Sequence, residues 1–401
     1  MKARDGYNPT YFLWALGAGG LAVSFFMYYM FLVPHPETPM PTFEDISAAY
    51  AKGGWLAGVI PVAAVFIILF AITHFVLLYW NTRQYFMFKK TPAYDAMMRS
   101  NGEVTLMTLP LTYTMTLNAC FVLGAAFVPG LWNYIDYLLP IALVGFMTTG
   151  FFALKYFFAY FTRLLTTGSF DFTKNNNLTQ MISIFSFAMV AVGFAAPGAM
   201  SHIFAVNAIG LFFAIFFGAI AIGLALFKII MGMQSMLEQG VNDEAAPSIW
   251  IAIPILTLLG ITGIRMYSGL SHHFDAGSNP AALFVFTSLI ISFEIIFGVL
   301  GYSVMKRVGY FEKYVNSDSR SPLQFSLICP GVAFFVFGMF FINWGLVQNE
   351  VVAKYSALFF ALMIPFVLAQ LAMVVLFVKL TKKFATADAP ATIDNRAVAA
   401  Q

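Results

Sequence analysis

Charge is scarce in this chain. Asp, Glu, Lys and Arg make up 10% of its 401 residues, against about 25% in a soluble domain, so water is not its main solvent. Cysteine is scarcer still. Cys120 and Cys329 both lie in apolar runs, which argues against a disulfide framework or a cysteine metal site and leaves two small buried hydrophobes. The sequence has no CxxC, no glycine-rich phosphate loop and no nucleophile–His–acid set, and Gly17, Gly19 and Gly20 read as helix-packing residues. The loops are too short to hold a catalytic domain. No enzyme, metal or cofactor is therefore expected. The net charge of +3 is too small to suggest nucleic acid.

What the chain has instead is hydrocarbon, at 60% of residues. A spanning helix needs about 20 apolar residues. Ten stretches qualify, at 10–33, 55–80, 105–128, 131–161, 178–198, 203–231, 248–268, 280–305, 323–346 and 355–380. The alternating pattern of a barrel strand is missing from runs such as 212–226, so helices are expected. The first run, Tyr11 to Val33, is too long for a signal-peptide core and lacks a small-residue cleavage site, so it reads as a retained helix.

With the N-terminus inside, 18 of the 21 Lys and Arg residues fall on the cytoplasmic side. Lys52, Arg265 and Lys354 fall outside. This positive-inside bias puts both termini in the cytoplasm and supports the helix number, because a miscounted span would scramble the split. The expected organisation is one ten-helix bundle over 1–384 and a disordered cytoplasmic tail over 385–401, rich in Ala and small polar residues.

The spans pair into five hairpins. Odd spans 3, 7 and 9 share a proline about one turn or two inside the membrane: Pro110 in VTLMTLPLTYTM, Pro254 in PSIWIAIPILTL and Pro330 in PLQFSLICPGVA. In span 5, Phe185 stands where the proline would be. Proline removes a backbone hydrogen bond and kinks a helix, and kinks at matching depth suit a ring of odd helices around a central path. Ordinary kinks are the alternative, since proline is common in transmembrane helices. Each even span ends in a cation, Arg83, Lys155, Lys228, Lys306 or Lys379, which snorkelling to the headgroups explains.

With these features, and with Ala246-Pro247-Ser248-Ile249-Trp250-Ile251-Ala252-Ile253-Pro254 opening span 7, the chain resembles the tellurite-resistance/dicarboxylate transporter family, which includes the plant guard-cell slow anion channels. The resemblance covers about residues 10–380. It implies an all-α integral membrane protein of five helical hairpins in pseudo-fivefold arrangement around a central pore. It also implies a homotrimer in a bilayer, here a bacterial inner membrane, whose protomers each pass small inorganic or carboxylate anions. In the family's channels a phenylalanine before the span 9 proline plugs the pore. Here that residue is Cys329, and neither Leu109 nor Ile253 supplies an aromatic at the equivalent sites, although Phe185 does in span 5.

Candidate anion-path residues follow. Thr108, Thr112 and Thr116 form a stripe at helical spacing whose hydroxyls suit a partly dehydrated anion; alternatively, they bond their own helix carbonyls. Thr257 is a weaker version of the same idea. Pro110, Phe185, Pro254, Cys329 and Pro330 complete the expected path, with Arg265 at an outer mouth. Glu294, an acid deep in span 8, reads either as a structural hydrogen-bonding group or as a proton-coupling site. Five histidines, four of them near the outer face, leave a second class open: a redox subunit binding haem or metal there.

Overall fold

The computed structural model describes residues 6–274, 277 and 279–385. Its helices are α1 (Phe12–Leu32), α2 (Phe43–Lys52), α3 (Leu56–Phe88), α4 (Pro92–Met97), α5 (Thr108–Phe127), α6 (Ile135–Thr167), α7 (Ile182–Met200), α8 (Phe204–Gln239), α9 (Ala252–His273), α10 (Pro280–Arg307), α11 (Ile328–Phe340) and α12 (Ala357–Ala385). No strand occurs among the described residues. All but α2 and α4 belong to ten segments of 22 to 37 residues that are long and apolar enough to cross a bilayer, in agreement with the ten expected spans. The chain is an all-α integral membrane protein. Even-numbered spans run past their apolar stretches, α3 to Phe88 and α8 to Gln239, because helix hydrogen bonding continues after the side chains turn polar. The expected tail lies outside the described residues, apart from Ala385.

Burial sorts the spans into two layers. In the odd spans, α1, α5, α7, α9 and α11, 61 to 100% of the most apolar window is buried; in the even spans, α3, α6, α8, α10 and α12, the figure is 22 to 33%. Exposed side chains of the even helices, such as Val65, Phe151, Leu226, Val299 and Val375, form an apolar face that lipid, not water, can cover. The inner helices close a cycle: α1 packs on α5, α5 on α7, α7 on α9, α9 on α11 and α11 on α1. An aromatic cluster fastens the ends of the chain at this closure. Trp14 stacks on Phe325 at 4.9 Å, Phe325 meets Phe384 at 5.0 Å, and Trp14 Nε1 donates to Thr381 Oγ1 at 2.9 Å.

All five inner helices begin with a 3-10 turn: Pro9–Tyr11, Asn101–Met107, Thr179–Met181, Ala246–Ile251 and Pro322–Leu327. The expected proline kinks are corrected by this arrangement. Pro110, Pro254 and Pro330 are each the third residue of α5, α9 and α11. In the first turn of an α-helix the proline needs no i→i−4 partner and its fixed φ suits the helix. These prolines therefore mark a shared junction from 3-10 turn to α-helix rather than bends within continuous helices.

Candidate functional site

The cycle of inner helices encloses a cavity of about 680 Å³, within the usual range of small-ligand sites, about 300–1,000 Å³. All five helices line it. Their contributions include Gly20, Met27 and Met30 from α1, Met115, Asn118 and Phe121 from α5, Met189 and Val192 from α7, Thr257, Ile261 and Arg265 from α9, and Val332 and Val336 from α11. At the end away from the chain termini, the wall is completed by His35, Thr38, Gln348 and Lys354 from the connections. Past Phe340, α11 continues as a π-helical segment, Phe341–Val347. This wider turn brings Asn343, Trp344 and Val347 to the wall, as π-turns commonly do at functional sites.

Toward the termini the space narrows. A second chamber of about 40 Å³ lies there, bounded by Leu13, Thr179, Glu244, Ser248, Ser326 and Pro330 among others. Phe185, Pro254 and Cys329 border both chambers. They form the partition between a wide cavity and a space with room for very little water. Phe185 is 4% exposed.

The charges in the large cavity have one sign. Arg265 and Lys354 line it, and no Asp or Glu does so among the described residues. Glu244 borders only the small chamber. Arg265 gives one N–H to Val192 O at 2.9 Å and has no ion-pair partner among the described residues. Its expected place at an outer mouth is corrected: α9 runs on to His273, so Arg265 stands two turns inside the helix, in the cavity wall. At the mouth itself, His35 Nδ1 donates a hydrogen bond to Val33 O at 2.7 Å. Burial pushes both the His35 imidazole and the Lys354 ammonium down from their ordinary values.

Of the sequence candidates, Phe185, Pro254, Thr257, Cys329 and Arg265 come together in this wall, and Pro330 borders the small chamber. Pro110 and the threonine stripe do not, and their expected role is corrected. Thr108 donates to Pro9 O at 2.8 Å and Thr112 to Thr108 O at 2.8 Å. Thr116 donates to Thr112 O at 3.0 Å and lies 2.9 Å from His74 Nε2. These hydroxyls are used up by helix carbonyls and by contacts with α1 and α3. The neighbouring stripe of α5, Met115, Asn118 and Val122, faces the cavity instead.

Comparison with known families, curated proteins and solved structures finds no match.

His74 is wholly buried, with Nδ1 2.8 Å from Ala15 O and Nε2 on Thr116. Both ring nitrogens are engaged in tying α3 to α1 and α5. His202 lies 3.4 Å from Asp136 at the surface, and the side chains of His272 and His273 lie outside the described ones. Glu294 is buried on α10 and accepts a hydrogen bond from Thr257 at 2.6 Å. Sequence reasoning passed over the cavity-facing methionines and Asn343. A Met in an apolar run carries no signal of facing a cavity, and the π-turn that exposes Asn343 has no residue signature.

Proposed function

We propose that the protein passes small inorganic or carboxylate anions across a bacterial plasma membrane, along a path between its five inner helices. The observation that carries this reading is the cavity enclosed by all five helices, with two cationic side chains in its wall and no carboxylate among the described residues. A lone guanidinium in a largely apolar cavity attracts anions and repels cations. The resemblance to the tellurite-resistance/dicarboxylate transporter family supports the same function, a pseudo-fivefold arrangement of hairpins and a homotrimer, and the positive-inside bias supports cytoplasmic termini. On this reading, Phe185 takes the plugging role that the family gives to the residue before the span 9 proline.

The test is flux through the purified chain in liposomes. Chloride, nitrate and a dicarboxylate are offered in turn, with potassium as the cation control. Anions should pass and potassium should not. An apolar wall replaces water poorly, so weakly hydrated nitrate should outrun chloride. Arg265→Met should lower anion flux about tenfold or more, equivalent to about 1.4 kcal/mol per factor of ten. Potassium flux equal to chloride flux, or no anion flux at all, would remove the anion reading.

A further inference from the structure

Thr257 donates to a side chain on another helix, whereas the other buried threonines of α5, α9 and α10 donate to backbone carbonyls. Thr112, Thr114, Thr116 and Thr262 each donate to the carbonyl four residues back in their own helix, at 2.7 to 3.0 Å. Thr257 donates instead to Glu294 Oε1 on α10, at 2.6 Å. Thr257 also lines the large cavity. Glu294 stands behind it, 0% exposed, and its Oε2 has no hydrogen-bond partner among the described residues. A carboxyl group thus sits behind the wall, linked to it through a single hydroxyl.

The neighbourhood leaves Glu294 no cationic partner. The elements packed against α10 are α9, α11, the 3-10 turn Ala246–Ile251 and the π segment Phe341–Val347. The last two carry no titratable side chain. On α11 there is Cys329. On α9, Arg265 lies eight residues beyond Thr257, about 12 Å along the axis, with Tyr267 and the helix-end His272 and His273 farther on. On α10 itself, Tyr302, Lys306 and Arg307 are two turns or more toward the opposite end.

A hydroxyl has one hydrogen to give and two lone pairs to accept with. When Glu294 is ionised it can only accept, so the Thr257 O–H is held on the carboxylate and the hydroxyl turns lone pairs toward the cavity, which repel an anion. When Glu294 carries a proton, the carboxylic acid donates to Thr257 Oγ1, and the Thr257 hydrogen is free to point at an anion. We infer that Thr257 is an anion-coordinating group of the cavity and that Glu294 behind it binds a proton together with the anion. The inference rests on the anion reading above and deepens it. One proton and one monovalent anion then enter the site with no net charge, and each raises the affinity for the other by the same factor.

The experiment measures chloride flux into liposomes across a range of pH. It uses the full chain in a His35→Gln background, so that the histidine at the mouth adds no titration of its own. Flux should rise on acidification. Glu294→Gln should abolish that dependence and hold flux near the acid-side level, because its amide N–H donates to Thr257 at every pH. Thr257→Val should give low flux with no pH dependence, and Thr257→Ser should restore the parent profile. In a second measurement, chloride added to weakly buffered protein in detergent should take up as much as about one proton per protein, and the uptake should vanish in both Glu294→Gln and Thr257→Val. If Glu294→Gln fails to fold, Thr257→Val cuts the same link and decides alone. A pH profile that survives either substitution, or chloride binding without proton uptake, overturns the inference and leaves anion passage standing. A parent protein that passes no anion at any pH overturns the anion reading itself.

Discussion

Phe185 is where one side chain decides the most. It separates a cavity of about 680 Å³ from one of about 40 Å³. Phe185→Ala should join the two chambers and raise anion flux several-fold in the liposome assay. Unchanged flux would mean that Pro254 and Cys329 close the path without it. Any loss of stability should be smaller than the 3–5 kcal/mol typical of removing a core phenylalanine, because one side of the ring already faces open space. The threonine stripe teaches the converse. Thr112→Val would cost the fold hydrogen bonds to the Thr108 and Phe12 carbonyls, and flux should follow the amount of folded protein alone.

Close approach of the backbones of α7 and α8 carries the clearest prediction for an element. A Cβ built on Gly210 would lie 2.6 Å from the Gly198 nitrogen and 2.9 Å from the Phe194 oxygen. Backbone atoms cannot yield as a flexible side chain does. Gly210→Ala should cost about 1–3 kcal/mol, in the range of overpacked sites, and lower the melting temperature in detergent. Gly218→Ala on the same helix meets nothing within 4 Å and should melt like the parent or slightly higher.

Elements were also the most legible feature of the sequence. Hydropathy found all ten spans because lipid leaves backbone polar groups no partner outside a helix. The three matched prolines correctly pointed to a repeated local structure in α5, α9 and α11, although the structure turned out to be a junction and not a kink. Which face of α5 meets the cavity was not legible. Thr108, Thr112 and Thr116 share one stripe and Met115, Asn118 and Val122 the next, and helical spacing alone does not say which stripe meets a neighbouring helix. Polarity suggested the threonines, but a hydroxyl that bonds its own carbonyl needs no water and packs readily against α1. Glu294 drew notice as a buried acid, but its link to the wall through Thr257 depends on the packing of α9 against α10.

At the scale of the whole molecule, α11 packing back on α1 closes the inner cycle within a single chain. Among the described residues, all five helices of the cavity wall come from this one chain. In a homotrimer the three paths would then be separate conduits working side by side. When parent protein is co-assembled with a blocked Arg265→Met copy, total conductance should fall in straight proportion to the blocked fraction. A steep fall, with one defective copy silencing its neighbours, would instead require the paths to communicate. A cell making both forms should lose current by dilution only, and an inactivating change in this wall should behave as recessive.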